Sequence, residues 1–187
     1  MIGIPKDAKR VHKGLLFDVY QWEQKMFDGT EKTYEKLKRR DSVTILPITE
    51  DGKIILGREQ QPAREPFVSI PGGQVDDGEE SEHAARRELL EETGYEPGEL
   101  FLWQTVQPYG NKIEWDVYGY IARGCKKVAD QHLDAGEKIE LQLVTFDEFI
   151  QIAAFDENFR VEELTKIILR AMLNPGGLDE LKKLLLG

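Results

Sequence analysis

Residues 71–95 read PGGQVDDGEESEHAARRELLEETGY, and this stretch decides how the rest of the chain is interpreted. Two glycines open it, and apolar residues then recur at helical spacing among many carboxylates, which predicts a turn followed by a helix. Gly94 stands at its end, where a helix C-terminus favours a residue that can adopt positive φ. We expect Asp77 or Ser81 to cap the first helical turn, because both side chains accept hydrogen bonds from backbone N–H groups.

Three glutamates of the predicted helix, Glu88, Glu91 and Glu92, are spaced i, i+3 and i+4. This spacing places them on one helix face, where like charges cost about 0.2–0.5 kcal/mol per pair. A hard divalent cation such as Mg²⁺ or Mn²⁺ would turn the repulsion into ligation, because these ions prefer carboxylate oxygens. The carbonyl of Gly72 could approach the same ion, since glycine has no Cβ. The alternative is an acidic helix face that only contacts water.

Arg87 lies among these acidic residues, and Glu79 lies eight positions before it. An ion pair between Arg87 and Glu79 would join the glycine-rich loop to the helix. We therefore expect the loop and the helix to form one rigid unit.

The stretch resembles the Nudix box, the signature of the Nudix hydrolases, at every fixed position and without a gap. The matching residues are Gly73, Glu79, Arg87, Glu88, Leu89, Glu91, Glu92, Gly94 and Tyr95, of which Tyr95 replaces a commoner aliphatic residue. The resemblance implies an α+β Nudix fold, with a mixed β-sheet sandwiched between helices. It also implies hydrolysis of a diphosphate bond with Mg²⁺ as cofactor, or Mn²⁺ as a substitute. The residues it assigns are Gly72, Glu88, Glu91 and Glu92 as metal ligands, and Glu79, Arg87, Glu91 and Glu92 as catalytic residues.

The 187-residue chain is acidic, with a net charge of −10, and 40% of its residues are hydrophobic. The negative charge argues against a nucleic acid or an anionic membrane as the main partner, because both are polyanions. Length and composition are ordinary for a globular protein. The single Cys125 excludes an intrachain disulfide and favours a cytoplasmic location. No segment has the apolar length of a signal peptide or a membrane span.

The segments on either side of the box are predicted mainly as strands. Residues 11–40 predict two strands, a turn at residues 27–30 and a third strand, which together form an antiparallel β-arm. Further strands are predicted at residues 41–49, 53–58, 67–70, 100–107, 113–122 and 139–146, with a loop at residues 124–135. Helices are predicted at residues 147–154 and 161–173, followed by an amphipathic tail at residues 178–186.

The region before the box resembles the branch of ADP-ribose and nucleoside-diphosphate-sugar pyrophosphatases. These enzymes carry an N-terminal β-arm that is often exchanged between the subunits of a dimer. We therefore expect residues 1–40 to form a dimerisation arm and residues 41–187 to form the hydrolase domain of a homodimer. Pro108 lies near, though not at, the position of a proline found in this branch. The arginine of the branch's Arg-Pro pair is replaced by Gln61, and Arg58 and Arg64 are the candidates to substitute for it.

Residues 134–140 resemble the acidic loop where this branch places a further carboxylate near the metals. Glu137 and Glu140 are both candidates for the general base, and a solvent-exposed acid is the alternative for either one. Trp22 and Tyr109, together with Pro108, are candidates for contacts with the substrate. A tryptophan on the arm is more often part of a core or an interface.

The function expected from the resemblance is Mg²⁺-dependent hydrolysis of ADP-ribose or another nucleoside diphosphate sugar. The small-molecule products would be a nucleoside monophosphate and a sugar phosphate. Two alternatives stay open. One is a Nudix hydrolase acting on an oxidised nucleoside triphosphate or a dinucleotide. The other is a non-catalytic ligand sensor, which the complete set of box carboxylates disfavours.

Overall fold

The computed structural model describes residues 3–187. The strands are β1 (Lys9–Lys13), β2 (Asp18–Lys25), β3 (Glu31–Lys38), β4 (Ser42–Thr49), β5 (Ile54–Gln60), β6 (Phe67–Ser69), β7 (Tyr95–Glu96), β8 (Glu99–Val106), β9 (Ile113–Glu114), β10 (Val117–Lys127) and β11 (Lys138–Val144). The helices are α1 (Ser81–Thr93), α2 (Phe146–Phe155), α3 (Glu162–Leu173) and α4 (Gly177–Leu186). Across residues 3–187, no helix has both the length and the hydropathy that a transmembrane segment requires.

Strands β1, β2 and β3 form the antiparallel sheet that is predicted for the arm. Its β2–β3 turn is closed by the Asp28 carboxylate, which accepts hydrogen bonds from the backbone N–H and the hydroxyl of Thr30. A fourth strand, β9, pairs in parallel with β3 through Leu37 and Ile113. The arm sheet thus includes a strand from beyond the box, and the division of the chain at residue 40 stays a prediction.

The central sheet has the strand order β11-β5-β4-β10-β7, with β6 paired to β5 and β8 paired to β10. Strands β4 and β10 are parallel and the other pairs are antiparallel, so the sheet is mixed, as expected. Strand β4 and the first half of β5 are buried on both faces, which explains their nearly continuous apolar sequences. One face packs on α1 through residues that include Val43, Ile45, Ile55 and Leu89. The other packs on α2, α3 and α4 through residues that include Leu46, Leu56, Phe149, Ile168 and Leu185.

The single strand predicted at residues 113–122 is wrong, because the chain leaves the sheet at Trp115 and Asp116. The backbone N–H of Asp116 donates to Asp41 Oδ1 at 2.9 Å. The indole N–H of Trp115 donates to Ser42 Oγ at 3.1 Å. These bonds hold a short link between β9 in the arm sheet and β10 in the central sheet. Strand β10 then continues to Lys127, so the loop predicted from residue 124 begins later.

Helix α1 has the predicted C-terminus but not the predicted cap. Gly94 adopts φ of 73°, in the left-handed region. The N-cap residue is Glu80, and no side chain there bonds the first turn, so the cap expected from Asp77 or Ser81 is wrong. The Ser81 hydroxyl instead shares a hydrogen bond with the hydroxyl of Tyr120 at 2.8 Å, which anchors the start of α1 to the central sheet.

Gly94→Ala should lower the free energy of unfolding more than Gly52→Ala does. Both glycines have positive φ, at 73° and 77°, and each alanine pays about 1 kcal/mol or more for that conformation. A Cβ at Gly94 would in addition collide with the carbonyl oxygen of Ala129, whereas a Cβ at Gly52 meets nothing within 4 Å. Urea denaturation followed by circular dichroism would measure both losses. Equal losses would mean that the collision is relieved by a backbone shift.

Candidate active site

Gly72 and Gly73 lie in the loop that passes between β4 and the acidic face of α1. The carbonyl of Gly73 accepts the N–H of Val43 at 2.9 Å, which joins the loop to β4. A Cβ at Gly73 would collide with the carboxylate of Glu88. A Cβ at Gly72 would collide with the carbonyl oxygen of Val43, and the Gly72 N–H donates to Glu92 Oε2 at 3.0 Å. Gly72 therefore allows the close approach of the loop to β4, and Gly73 allows its close approach to the carboxylate of Glu88.

The guanidinium of Arg87 joins the loop to the helix. Its Nε and Nη2 donate to the two carboxylate oxygens of Glu79 at 3.1 and 3.0 Å, so the predicted ion pair is present. Its Nη1 donates to Glu88 Oε1 at 2.8 Å and to Glu91 Oε2 at 3.2 Å. Nη2 also donates to the carbonyl of Gln74 at 3.1 Å. The bond with Glu79 raises the pKa of Arg87 and lowers the pKa of Glu79.

Burial makes three carboxyl groups of the site, those of Glu88, Glu92 and Glu137, costly to ionise. Burial raises the pKa of Glu92 to about 9, against the opposing effect of the hydrogen bond from the Gly72 N–H. The charges of Glu59, Glu88 and Glu137 act in the same direction as burial. Burial also raises the pKa values of Glu88 and Glu137. The site thus brings together carboxyl groups whose ionised form is poorly solvated, and a bound cation would favour that form.

A polar cavity of about 370 Å³, called the carboxylate cavity below, opens beside these side chains. Part of its wall is the loop before β11, which is bonded to α1. In this loop the His132 N–H donates to the Glu91 carbonyl at 2.7 Å, and the Gln131 side-chain amide donates to the Glu92 carbonyl at 2.6 Å. Glu137 of the same loop consequently lines the cavity together with the box carboxylates. The acidic lining residues are Asp76, Glu88, Glu91, Glu92, Asp134 and Glu137.

The donor set fits a hard divalent cation, because Mg²⁺ and Mn²⁺ take carboxylate oxygens. Residues 3–187 nevertheless contain no group of three His, Cys, Asp or Glu side chains already placed to hold a metal ion. Arg87 binds an oxygen of Glu88 and of Glu91, and the Gly72 N–H binds an oxygen of Glu92. These bonds use one oxygen of each carboxylate and leave the other oxygen for a metal ion.

One half-buried carboxylate near the box, Glu59 on β5, was not among the residues predicted from the sequence. The Ser69 hydroxyl donates to its Oε1, and burial raises its pKa. Its charge acts on Glu92, and the charge of Glu137 acts on Glu59. Strand pairing explains the proximity, since Glu59 pairs with Ile139, two residues beyond Glu137. The only sequence signal was that Glu59 follows the buried apolar residues of β5. Its distance from the box depends on how β5 pairs with distant strands, which this signal does not give.

Several predicted site residues lie away from the carboxylate cavity. Glu140 is exposed on β11, where it pairs with Arg58 of β5, and neither residue lines the cavity. Of the two candidates for the general base, only Glu137 lines the cavity. The Arg64 guanidinium lies 5.0 Å over the centroid of the Phe67 ring and does not line the cavity either.

Trp22, Pro108 and Tyr109 are also separate from the carboxylates. Trp22 lies on the arm, with its ring centroid 6.0 Å from that of Tyr34. Pro108 and Tyr109 lie in the turn between β8 and β9, where Tyr109 is 65% exposed and has φ of 55°. Contacts of these three residues with a substrate stay predictions.

Comparison with known proteins agrees with this geometry. Residues 38–164 match the family model described as NUDIX domain. The chain belongs to the Nudix family. It is 28% identical over 149 residues to the ADP-ribose pyrophosphatase of Bacillus subtilis, an alignment that covers 77% of this chain and 79% of that protein. It is 31% identical over 129 residues to the methanol dehydrogenase activator of Bacillus methanolicus, which covers 66% of this chain and 68% of that protein.

A crystal structure of an ADP compounds hydrolase has the same fold as this Nudix protein. The TM-score is 0.73 at 20% sequence identity, and the match covers 90% of this chain and 92% of that one. The Nudix fold predicted from the box is thereby confirmed, as is the expectation that the protein is a Nudix hydrolase.

Arg87→Lys should lower the free energy of unfolding by about 1–3 kcal/mol, because an ammonium group cannot replace the guanidinium bonds to Glu79, Glu88 and Glu91. The matched control is Arg86→Lys, since Arg86 is the preceding residue of α1 and makes an exposed ion pair with Glu82 at 2.9 Å. That substitution should change stability by less than about 0.5 kcal/mol. Urea denaturation in EDTA would measure both. A loss no larger for Arg87→Lys than for the control would contradict the assigned role.

Proposed function

We propose that this Nudix hydrolase cleaves the diphosphate bond of ADP-ribose or of another nucleoside diphosphate sugar. The observation that carries the proposal is the carboxylate cavity, which Glu88, Glu91 and Glu92 of the box line together with Glu137. Similarity to the ADP-ribose pyrophosphatase of B. subtilis supports the substrate class. The products would be a nucleoside monophosphate and a sugar phosphate. The alternative substrate is another nucleoside diphosphate derivative, such as an oxidised nucleoside triphosphate or a dinucleotide.

Glu88, Glu91 and Glu92, with the Gly72 carbonyl, would hold Mg²⁺, for which Mn²⁺ is a substitute. The ion would supply neutralisation of the phosphate oxygens and a more acidic water. Glu137 is the proposed general base, which accepts the proton as the water attacks phosphorus and the bond to the bridging oxygen breaks. Arg87 positions Glu88 and Glu91 through its hydrogen bonds and fixes the loop through Glu79.

The test of the proposed function is a panel of nucleoside diphosphate sugars, dinucleotides and nucleoside triphosphates, incubated with the protein and Mg²⁺. A coupled phosphatase converts monoester products into free phosphate, which is measured. We expect turnover of ADP-ribose or a related diphosphate sugar, and we expect EDTA to abolish it. Turnover confined to dinucleotides or triphosphates would favour the alternative substrates. No turnover, combined with a ligand-dependent rise in melting temperature, would indicate a sensor.

Glu92→Gln should lower kcat at least about a hundredfold without unfolding the protein, because it removes a charged metal ligand from the site. Glu137→Gln should lower kcat by about 10²–10⁴, the range of general-base catalysis. Glu140→Gln is the matched control and should retain near-normal kcat, since its side chain lies outside the carboxylate cavity. Steady-state kinetics on the best substrate of the panel would measure all three. A large loss for Glu140→Gln with normal activity for Glu137→Gln would reverse the assignment of the base.

We also propose that residues 1–40 mediate a homodimer. The arm exposes large apolar side chains that water solvates poorly, and a partner surface would cover them. These are Val11 at 50%, Leu15 at 106%, Leu16 at 60% and Phe27 at 111% exposure. Light scattering after size exclusion should give the mass of a dimer, and the double variant Leu15→Ser with Leu16→Ser should give a monomer. Phe155→Ser, at an exposed position of α2, is the control that should stay dimeric. A monomeric wild type would refute the proposal.

The cytoplasmic location and the lack of a nucleic acid partner, which were expected from composition, stay predictions. Cys125 is buried in the core beside α1. Burial raises the pKa of its thiol to about 11, so the thiolate is scarce at neutral pH. A packing role for Cys125 fits this environment.

A further inference from the structure

A second cavity, of about 550 Å³, lies between the arm and the loop of the box and is called the arm-side cavity here. Arg40 and Asp76 line this cavity and also the carboxylate cavity, so the two spaces meet at these side chains. The arm-side cavity lies within the range of about 300–1,000 Å³ typical of sites for small organic ligands. The basic residues that line it are Lys36, Lys38, Arg39 and Arg40, and the acidic ones are Asp41, Asp76, Asp77, Glu79, Glu114 and Asp116. Each acidic side chain already has a protein partner: Arg40 for Asp76 and Asp77, Arg87 for Glu79, Lys38 for Glu114, the Asp116 N–H for Asp41, and the Gln107 amide for Asp116.

Arg39 provides a fixed cation in the arm-side cavity. Its guanidinium carbon lies 4.2 Å from the centroid of the Trp115 ring and 5.8 Å from that of the Phe17 ring. The ion pairs formed within residues 3–187 do not include Arg39, and burial lowers its pKa. Lys38, by contrast, is neutralised by Glu114 at 2.8 Å. A partly desolvated cation held against aromatic rings is suited to an anionic ligand, whose charge would compensate for the lost hydration.

Arg40 occupies the junction between the two cavities. It forms ion pairs with Asp76 at 3.2 Å and with Asp77 at 3.0 Å. The side chains are 48%, 66% and 84% exposed, and ion pairs this exposed contribute little to stability. Arg40 can therefore exchange these carboxylates for a phosphate, whose oxygens match the planar fork of a guanidinium.

Resting on the proposed function, we propose that Arg39 and Arg40 bind the phosphate of the nucleotide half of the substrate, and that the nucleoside occupies the arm-side cavity. Trp115 and the planar guanidinium of Arg39 suit a nucleobase better than a sugar, because bases stack on aromatic and guanidinium planes. The diphosphate then crosses the junction, with its other phosphate in the carboxylate cavity. Arg39 and Arg40 take the place of the arginine that Gln61 replaces, whereas Arg58 and Arg64 line neither cavity.

The test measures binding without catalysis, by calorimetric titration of the full-length protein in EDTA with AMP and with ribose 5-phosphate. The wild type should bind AMP more tightly than ribose 5-phosphate, because only AMP carries a base. Arg40→Ala and Arg39→Ala should each weaken AMP binding by about tenfold or more, since each removes charge-assisted hydrogen bonds. Arg86→Ala is the matched control and should bind AMP like the wild type. Melting temperatures establish that each variant is folded, and Arg39→Lys replaces Arg39→Ala if the alanine variant is not.

The possible results distinguish a failure of this subsite proposal from a failure of the proposed function. Unchanged AMP affinity in folded Arg39 and Arg40 variants would overturn the subsite, even if the wild type hydrolyses ADP-ribose. Failure of the wild type to bind either phosphate compound would overturn it too, as would equal loss of binding in Arg86→Ala. Arginine-dependent AMP binding without turnover of any diphosphate would support the subsite and refute the hydrolytic function. If turnover occurs, Arg40→Ala should raise KM for the diphosphate substrate more than it lowers kcat.

Discussion

The hydrogen bonds of the Arg87 guanidinium are the interaction on which the rest of the site depends. The box places glutamates close together, and burial makes their charges expensive. Arg87 bonds Glu79, Glu88 and Glu91 at once, so one cation offsets much of the repulsion and also fixes the loop to the helix. A lysine has three donors on one nitrogen and cannot reach acceptors on opposite sides in this way. The spacing of the box thus suits the geometry of the guanidinium as well as the proposed metal ligation.

The central sheet fixes the position of the Arg87 hydrogen bonds, because the loop of the box is hydrogen-bonded directly to β4. The N–H of Val43 donates to Gly73 and the N–H of Ile45 donates to Pro71, at 2.9 and 2.8 Å. The side chains of Val43 and Ile45 meanwhile pack in the core beside α1. The same two residues therefore set the depth of the helix and the path of the loop. The position of the Glu92 carboxylate depends on the helix and on the loop, because Glu92 lies on α1 and accepts a hydrogen bond from the Gly72 N–H.

Sequence patterns predicted the parts of the protein that depend on local spacing. The helical repeat predicted that Glu88, Glu91 and Glu92 share one face of α1, and Gly94 predicted where α1 ends. Other features depend on which distant strands pair, and local patterns do not contain that information. Glu59 reaches the carboxylates because β5 pairs with β11, and the break at Trp115 arises because β9 joins the arm sheet. The same limit left Glu137 and Glu140 equivalent in the sequence, although only Glu137 lines the cavity.

In the proposed binding mode, substrate selection and chemistry are divided between two parts of the chain, and Asp41 joins these parts. The carbonyl of Asp41 accepts the N–H of Val75 in the loop of the box, at 2.9 Å. Its carboxylate accepts the N–H of Asp116, beside Trp115, also at 2.9 Å. Asp41 directly follows Arg40, so the backbone at the junction of the two cavities is fixed to the loop of the box and to the β9–β10 link. On this proposal, the box supplies the diphosphate chemistry, while side chains of the arm and the β9–β10 link determine which organic group fits.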